Sequence, residues 1–238
     1  MHCFTTHPFL VLEGPDGAGK TTIREELRSL LEARAIRTSV VGQHSWLTPV
    51  VSRTIVEVRE QRAHHPPSVI ADAYFHDKRQ HAAHNVAPML ARGWVIADRY
   101  ILSDAVYQEA LYGIPAEETL ARHRRAGTLE PAVTVFIEVD ELEAYRRITQ
   151  RAKQTRHYER PVTLARISSI YRRVLFGTAG SWRGKVVRFT NDRADVKRRV
   201  REELLPAIVA AALPTVGEGS SPVFDSSLRS QTAFDRVS

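Results

Sequence analysis

A lysine and a threonine that follow three glycines at fixed spacing are the first residues in this chain equipped for chemistry. Gly14-Pro15-Asp16-Gly17-Ala18-Gly19-Lys20-Thr21 reads G-x-x-x-x-G-K-T, the pattern of a phosphate-binding P-loop. Glycines at 14, 17 and 19 let the backbone curl so that successive N–H groups point inward at phosphate oxygens. The positive end of the helix that follows adds to that field. Lys20 then reaches the outer phosphates, and the Thr21 hydroxyl is placed to ligate Mg²⁺. The context fits: the apolar run Phe9-Leu10-Val11-Leu12 precedes the loop, and Ile23, Leu27, Leu30 and Leu31 form a helical stripe after it. Asp16, between Pro15 and Gly17, suits a tight turn as well as a functional acid.

A second chemical stretch is Asp98-Arg99-Tyr100-Ile101-Leu102-Ser103-Asp104-Ala105-Val106-Tyr107-Gln108. Asp98 ends an apolar strand, where a carboxylate can organise Mg²⁺ beside the P-loop. Arg99 follows at the sheet edge and can grip a second phosphate with its planar fork. The same stretch also reads as a buried strand followed by a capped helix whose polar residues satisfy their neighbours.

Phe9–Thr22 together with Asp98-Arg99-Tyr100, Ser103 and Tyr107-Gln108 resembles the thymidylate kinase family of nucleoside-monophosphate kinases, whose pattern is DGAGKTT followed by D-R-Y-x-x-S-S-x-A-Y-Q. Leu129-Glu130-Pro131-Ala132-Val133-Thr134-Val135 is similar to the family's P-D-L-T segment, with Ala132 in place of the acid. Arg147, Arg151, Arg156 and Glu159 resemble its lid pattern, R-x-x-x-R…D-R-x-E, and Tyr171 matches a tyrosine on the next helix. The resemblance spans about residues 8–210.

That resemblance implies ATP and Mg²⁺ as cofactors and a deoxynucleoside monophosphate as acceptor, dTMP or a related pyrimidine nucleotide. It implies a donor site of Gly14, Asp16, Gly17, Ala18, Gly19, Lys20, Thr21 and Thr22, with Thr21 and Asp98 serving the metal. Arg99 would clamp the acceptor phosphate, and Asp16 would face the acceptor sugar or the metal region. This P-loop holds no arginine, so the lid residues Arg151 and Arg156 are the candidate cations for charge that develops on the transferring group. A charge run over 146–160 equally fits a solvated helix end.

Departures from the family pattern cluster on the acceptor side. The R-E-P-G-G segment is replaced by Gly42-Gln43-His44-Ser45-Trp46-Leu47-Thr48-Pro49, with no arginine. The family's base-stacking Phe, four residues before an Arg, is matched either by Tyr74 with Lys78 or by Phe75 with Arg79. Asp104 stands where the family has Ser or Asn near the base edge, and Val106 replaces the alanine before Tyr107. A carboxylate at 104 would accept from a ring N–H or an exocyclic amine, or else point to solvent or cap the helix begun near Ser103. The donor half is intact, and the acceptor is open to pyrimidines other than dTMP. A kinase for a nucleoside or another small hydroxyl compound is the same-fold alternative, favoured by the lost arginine. A nucleotide-binding switch or ATPase is the other class, but Thr190-Asn191-Asp192-Arg193 is not the N-K-x-D guanine motif.

Elements that must position these residues follow from pattern. Strands are expected over 9–13, 37–41, 94–98, 132–139 and 185–190, separated by helices. The second-strand loop leads to a helix from 49 to about 62. His64-His65-Pro66-Pro67 breaks it, and Ser68 caps a helix that runs to Arg92 with a bend near Pro88. Further helices are expected over 103–112, 116–126, 141–152, 162–176 and 193–212. Non-alternating apolar strands between helices indicate an α/β fold: a P-loop three-layer α/β/α sandwich with a five-stranded parallel sheet and a small basic lid. Residues 1–213 read as one nucleotide kinase domain with its lid over about 151–162. Residues 214–238, rich in Ser and Gly, read as a disordered tail.

Bulk composition bounds the rest. The 238 residues are 43% hydrophobic and 26% charged, ordinary for one large globular domain. The net charge of +7 suits an anionic ligand, and its scatter along the chain argues against a nucleic-acid partner. Cys3 is the single cysteine, so no intrachain disulfide forms. No apolar run reaches the roughly 18–20 residues of a membrane span, and no signal-peptide pattern opens the chain, so a cytoplasmic enzyme is expected. Family members commonly form homodimers, which the resemblance extends to this chain. His76, His81 and His84 lie near one helical face, read as a packed or solvated helix rather than a metal site.

Overall fold

Five apolar runs, each followed by at least one helix, become strands β1 (Phe9–Glu13), β2 (Thr38–Val41), β3 (Trp94–Asp98), β4 (Val133–Glu138) and β5 (Lys185–Thr190). In the computed structural model, which describes residues 7–151, 155–177, 182–192 and 194–212, they form one parallel sheet in the order β2-β3-β1-β4-β5. The helices are α1 (Lys20–Glu32), α2 (Pro49–Arg59), α3 (Pro67–Gln80), α4 (Ala87–Leu90), α5 (Ile101–Tyr112), α6 (Ala116–Arg125), α7 (Glu141–Gln150), α8 (Pro161–Phe176), α9 (Val196–Arg199) and α10 (Leu205–Ala212). The expected tail and residues 152–154 of the lid lie outside the described residues.

β1 is fully buried and central: Leu12 pairs with Asp98 on one side and Val135 on the other. Its two faces feed two cores. Phe9 and Val11 join Val95, Ala97 and Phe136 under α5 and α8. Leu10 and Leu12 join Ile96, Val133 and Val135 under α1 and the C-terminal helices. Burying each such side chain contributes about 1.5–3 kcal/mol. The α1 stripe behaves as its spacing requires, with Ile23, Leu27, Leu30 and Leu31 all buried.

Local corrections trace to proline. α3 begins at Pro67 with extended Pro66 before it, and no side chain caps it. Ser68 is therefore not the N-cap. A proline fits the first helical position because its missing N–H would have no partner there. The long helix expected to bend near Pro88 instead widens into a π-helical turn over His81–Val86 before α4. The last helix, expected to be continuous, does the same over Val200–Leu204 before α10. In each, a proline (Pro88, Pro206) lies two residues beyond the widened turn. A ring that cannot donate and that crowds the preceding carbonyl is accommodated by a looser turn upstream.

The P-loop leaves β1 pressed against its neighbours. Gly14 has φ 141°, and a Cβ there would strike the Ile137 carbonyl of β4. Gly17 has φ 79°, and a Cβ there would strike the Ala144 carbonyl of α7. α7 is held in place for this by Asp140, whose carboxylate accepts from Leu142 N (2.9 Å) and Glu143 N (3.1 Å). Gly14→Ala should therefore lower the urea-unfolding free energy by at least about 2 kcal/mol, from strained backbone and collision together. An unchanged midpoint would mean that the loop is not packed this way.

Candidate functional site

At the carboxyl edge of the sheet, β1 and β3 deliver their last residues side by side. β1 ends in Glu13, a carboxylate with no exposure. It accepts from Tyr100 N (3.0 Å), Ser103 N (3.2 Å), the Ser103 hydroxyl and Tyr171 OH (3.0 Å). Those contacts tie the start of α5 and the middle of α8 to the strand that carries the P-loop. Sequence reasoning passed over Glu13, although its signal, an acid closing an apolar strand, is the one that singled out Asp98.

Arg99 occupies the turn from β3 into α5 with φ 73°, a left-handed backbone that costs a non-glycine residue about 1–3 kcal/mol and is found at functional sites. Its guanidinium is nearly buried. Nη1 donates to the Gly14 carbonyl (2.9 Å) and Ser103 Oγ (3.0 Å). Nη2 donates to Asp16 Oδ1 (2.7 Å) and Tyr107 OH (3.0 Å). Tyr107 OH in turn donates to Asp16 Oδ2 at 3.0 Å. Burial alone would raise the Asp16 carboxyl, but Arg99 and Lys20 outweigh it and hold Asp16 well below the usual carboxylate range.

Lys20 is enclosed, although it opens a helix straight after a loop. It is 7% exposed, and its ammonium donates to the Gly14 (3.1 Å) and Pro15 (2.7 Å) carbonyls. Burial and the nearby Arg99 charge push it down to about 8, with Asp16 and Asp98 opposing. Ala18 is buried, and its carbonyl accepts from Asn191 Nδ2 at 2.8 Å, which pins the loop below Gly19. Thr21 and Thr22 face outward at the start of α1. Asp98 Oδ2 meets Arg24 Nη1 at 3.2 Å.

Asp16, Arg99, Tyr107 and Gln108 line a chamber at this edge of the sheet. Tyr74, Gln43, His44, Arg59 and Tyr112 line it too, and Arg156 and Tyr158 come from the lid. Arg156 donates to Tyr158 OH at 2.6 Å. Arg151 is turned to Glu159 instead and does not line the chamber. Of the two aromatic–cation pairs, Tyr74 lines the chamber, whereas Phe75 lies between Arg79 (5.9 Å) and Arg122 (3.9 Å) outside it. Lys78 does not line it either. It is fully buried, with Nζ 3.2 Å from Asp104 Oδ2 and bonded to the Gln43 carbonyl. Asp104 is neither pointed at solvent nor a helix cap: burial pushes its carboxyl up to about 6 against Lys78 and Gln43, whose amide donates to it at 2.7 Å. Lys78 and Asp104 thus form a buried ion pair away from the chamber lining. Arg59, Tyr112 and Tyr158 were not anticipated, because nothing in local spacing marks a helix-end arginine or a lid tyrosine as pocket-facing. Among the described residues, no group of three His, Cys, Asp or Glu side chains could hold a metal ion, and no helix is long and apolar enough to cross a membrane.

The thymidylate kinase family profile matches residues 12–183. The chain belongs to the thymidylate kinase family. It is 30% identical to the thymidylate kinase of Paraburkholderia xenovorans over 203 residues, 82% of this chain and 95% of that protein. It is 29% identical to the thymidylate kinase of Desulfotalea psychrophila over 70% of this chain and 81% of the relative. A probable thymidylate kinase of Staphylothermus marinus is 36% identical over 56% of this chain and 63% of its own length. As a thymidylate kinase family member, the chain is a nucleoside-monophosphate kinase in fold and class.

Glu13→Gln tests the buried anchor. An amide in place of an oxygen that faces donors leaves a buried clash, which should cost about 2 kcal/mol in urea denaturation. It should also weaken acceptor use through a loosened Arg99. Full stability and unchanged acceptor KM would show that Glu13 is not the anchor.

Proposed function

We propose that this chain transfers the terminal phosphoryl group of ATP to the phosphate of dTMP, giving ADP and dTDP. The family supports the reaction. The observation that carries the assignment of parts is Arg99, whose one guanidinium touches both the P-loop mouth at Gly14 and the chamber wall at Asp16.

An oxygen of the acceptor phosphate attacks the terminal phosphorus of ATP as the bond to the bridging oxygen breaks. No covalent protein intermediate is needed, so catalysis is positioning plus charge. Lys20 exchanges the Gly14 and Pro15 carbonyls for outer phosphate oxygens of ATP. Arg99 presents the acceptor phosphate, and Asp16 with Tyr107 fixes the guanidinium plane. Arg156 covers the transferring group from the lid, and Tyr158, 5.8 Å from Tyr107 between ring centroids, shuts out water that would otherwise take the phosphoryl group. Arg151 acts at one remove, by holding Glu159, which accepts from Arg156 N at 2.7 Å. Bound Mg²⁺ would supply positive charge to the phosphates of the donor. The Thr21 hydroxyl and the Asp98 carboxylate are the hard oxygen donors suited to hold it. Tyr74 offers its face or edge to the base, and Gln108 a polar contact. A cytoplasmic homodimer is proposed with this reading on the family resemblance.

A panel of nucleoside monophosphates with ATP and Mg²⁺, read by ADP release, tests the proposal. ADP should form with dTMP and not without an acceptor. Arg99→Ala should cut kcat/KM for dTMP by at least about a hundredfold, the effect of losing a buried charge pair, while ATP affinity stays within about threefold. Acceptor-independent ADP release, or turnover confined to other acceptors, would overturn it.

A further inference from the structure

The loop that replaces the family's R-E-P-G-G segment carries a side chain with one polar atom left over. His44 is 6% exposed and lines the chamber. Its Nδ1 lies 3.1 Å from Asp77 Oδ2, one helical turn beyond Tyr74 on α3. Asp77 also accepts from Ser45 N (3.0 Å), Ser45 Oγ (2.6 Å) and Trp46 N (3.3 Å). Its partners are all donors, so Asp77 is an ionised acceptor, and the His44 proton sits on Nδ1. Burial holds the ring neutral, down to about 4, with the Asp77 contact opposing. Nε2 is therefore a bare lone pair. It is buried and has no hydrogen-bond partner. Trp46 and Tyr74 pack edge-on at centroid distances of 4.9 Å and 5.5 Å and fix the ring's orientation. His81 and His123 also have an unpartnered buried Nε2, but neither lines the chamber.

An acceptor atom buried without a partner is destabilising, and that cost is removed when a ligand supplies a donor. The phosphate end of the ligand belongs with Arg99 and Asp16, so the part that meets His44 beside Tyr74 is the base. Two donors line the same chamber: the Arg59 guanidinium, and the amide nitrogen of Gln108, whose carbonyl oxygen accepts from Thr119 Oγ1 at 3.3 Å. A lone pair among donors complements a ring N–H set between carbonyls.

We propose that His44 Nε2, oriented by Asp77, accepts the N3–H of an oxo-pyrimidine acceptor and so selects thymine- or uracil-type nucleotides against cytosine, whose N3 is itself a bare lone pair. This inference rests on the nucleoside-monophosphate kinase reading and deepens it. It gives this chain a base-reading residue where the Lys78–Asp104 pair has been turned inward.

The ¹⁵N resonance of His44 Nε2, in its unprotonated range in the free protein, should move towards the hydrogen-bonded range on adding dTMP, and not on adding dCMP or N3-methylated dTMP. In parallel, His44→Gln should lower the dTMP-to-dCMP ratio of kcat/KM by about tenfold, the worth of one such hydrogen bond. An Nε2 resonance unmoved by bound dTMP, or one moved equally by dCMP, would overturn the proposal even where the variant does not fold. Binding and turnover separate the two readings. If dTMP shifts Nε2 but is never phosphorylated, the kinase assignment falls and this one stands. If dTMP is phosphorylated while Nε2 stays silent and the ratio is unchanged, this one falls alone.

Discussion

A buried guanidinium must have its charge and its donors answered, or it does not stay buried. Arg99 meets that demand with partners from three places: the Gly14 carbonyl, the Asp16 carboxylate, and hydroxyls on α5 and α8. The constraint works in both directions. Arg99 cannot reach these groups unless the P-loop leaves β1 at the observed angle, and Asp16 cannot be buried ionised without Arg99. The left-handed backbone at Arg99 is the local cost of turning the side chain back toward the loop. The donor loop and the acceptor chamber are thus joined through one side chain.

The scaffold beneath is rigid where that joint needs it. Glu13 gathers Tyr100, Ser103 and Tyr171 into one hydrogen-bonded cluster under Arg99. The loop glycines sit against backbone of β4 and α7, and Asn191, just past β5, holds Ala18 from below. β4 and the end of β5, both on one side of β1, therefore help shape the loop. The lid is the contrasting part: it meets the chamber through Arg156 and Tyr158, on a segment tied down mainly by Glu159. That division suits phosphoryl transfer, which needs a fixed donor cradle and a cover that can open for exchange.

Much of this was legible in the chain. The P-loop pattern is local, and the apolar strands and the α1 stripe report burial directly, so element order and sheet class follow from spacing. Arg99 was legible because it stands one residue beyond a strand-end carboxylate. What spacing could not show were pairings set by packing between elements. Lys78 and Asp104 are 26 positions apart in sequence, and only the approach of α3 to α5 turns them toward each other and away from the chamber. The enclosure of Lys20 was not legible either, because loops usually lie at the surface. His44 was visible only as a departure from the family pattern; its meaning needs Asp77, brought in by α3. The π-helical turns before Pro88 and Pro206 depend on how a helix absorbs a proline, which sequence marks only as a break.

The account stands or falls on Arg99 and Asp16 acting as a single unit, and a double-mutant cycle measures that directly. kcat/KM for dTMP would be compared among the parent, Arg99→Ala, Asp16→Asn and the pair. Residues that act as a unit are strongly non-additive, so the double variant should fall within about threefold of the worse single variant. Losses that multiply would show two independent contributions and contradict the joint at the centre of this structure.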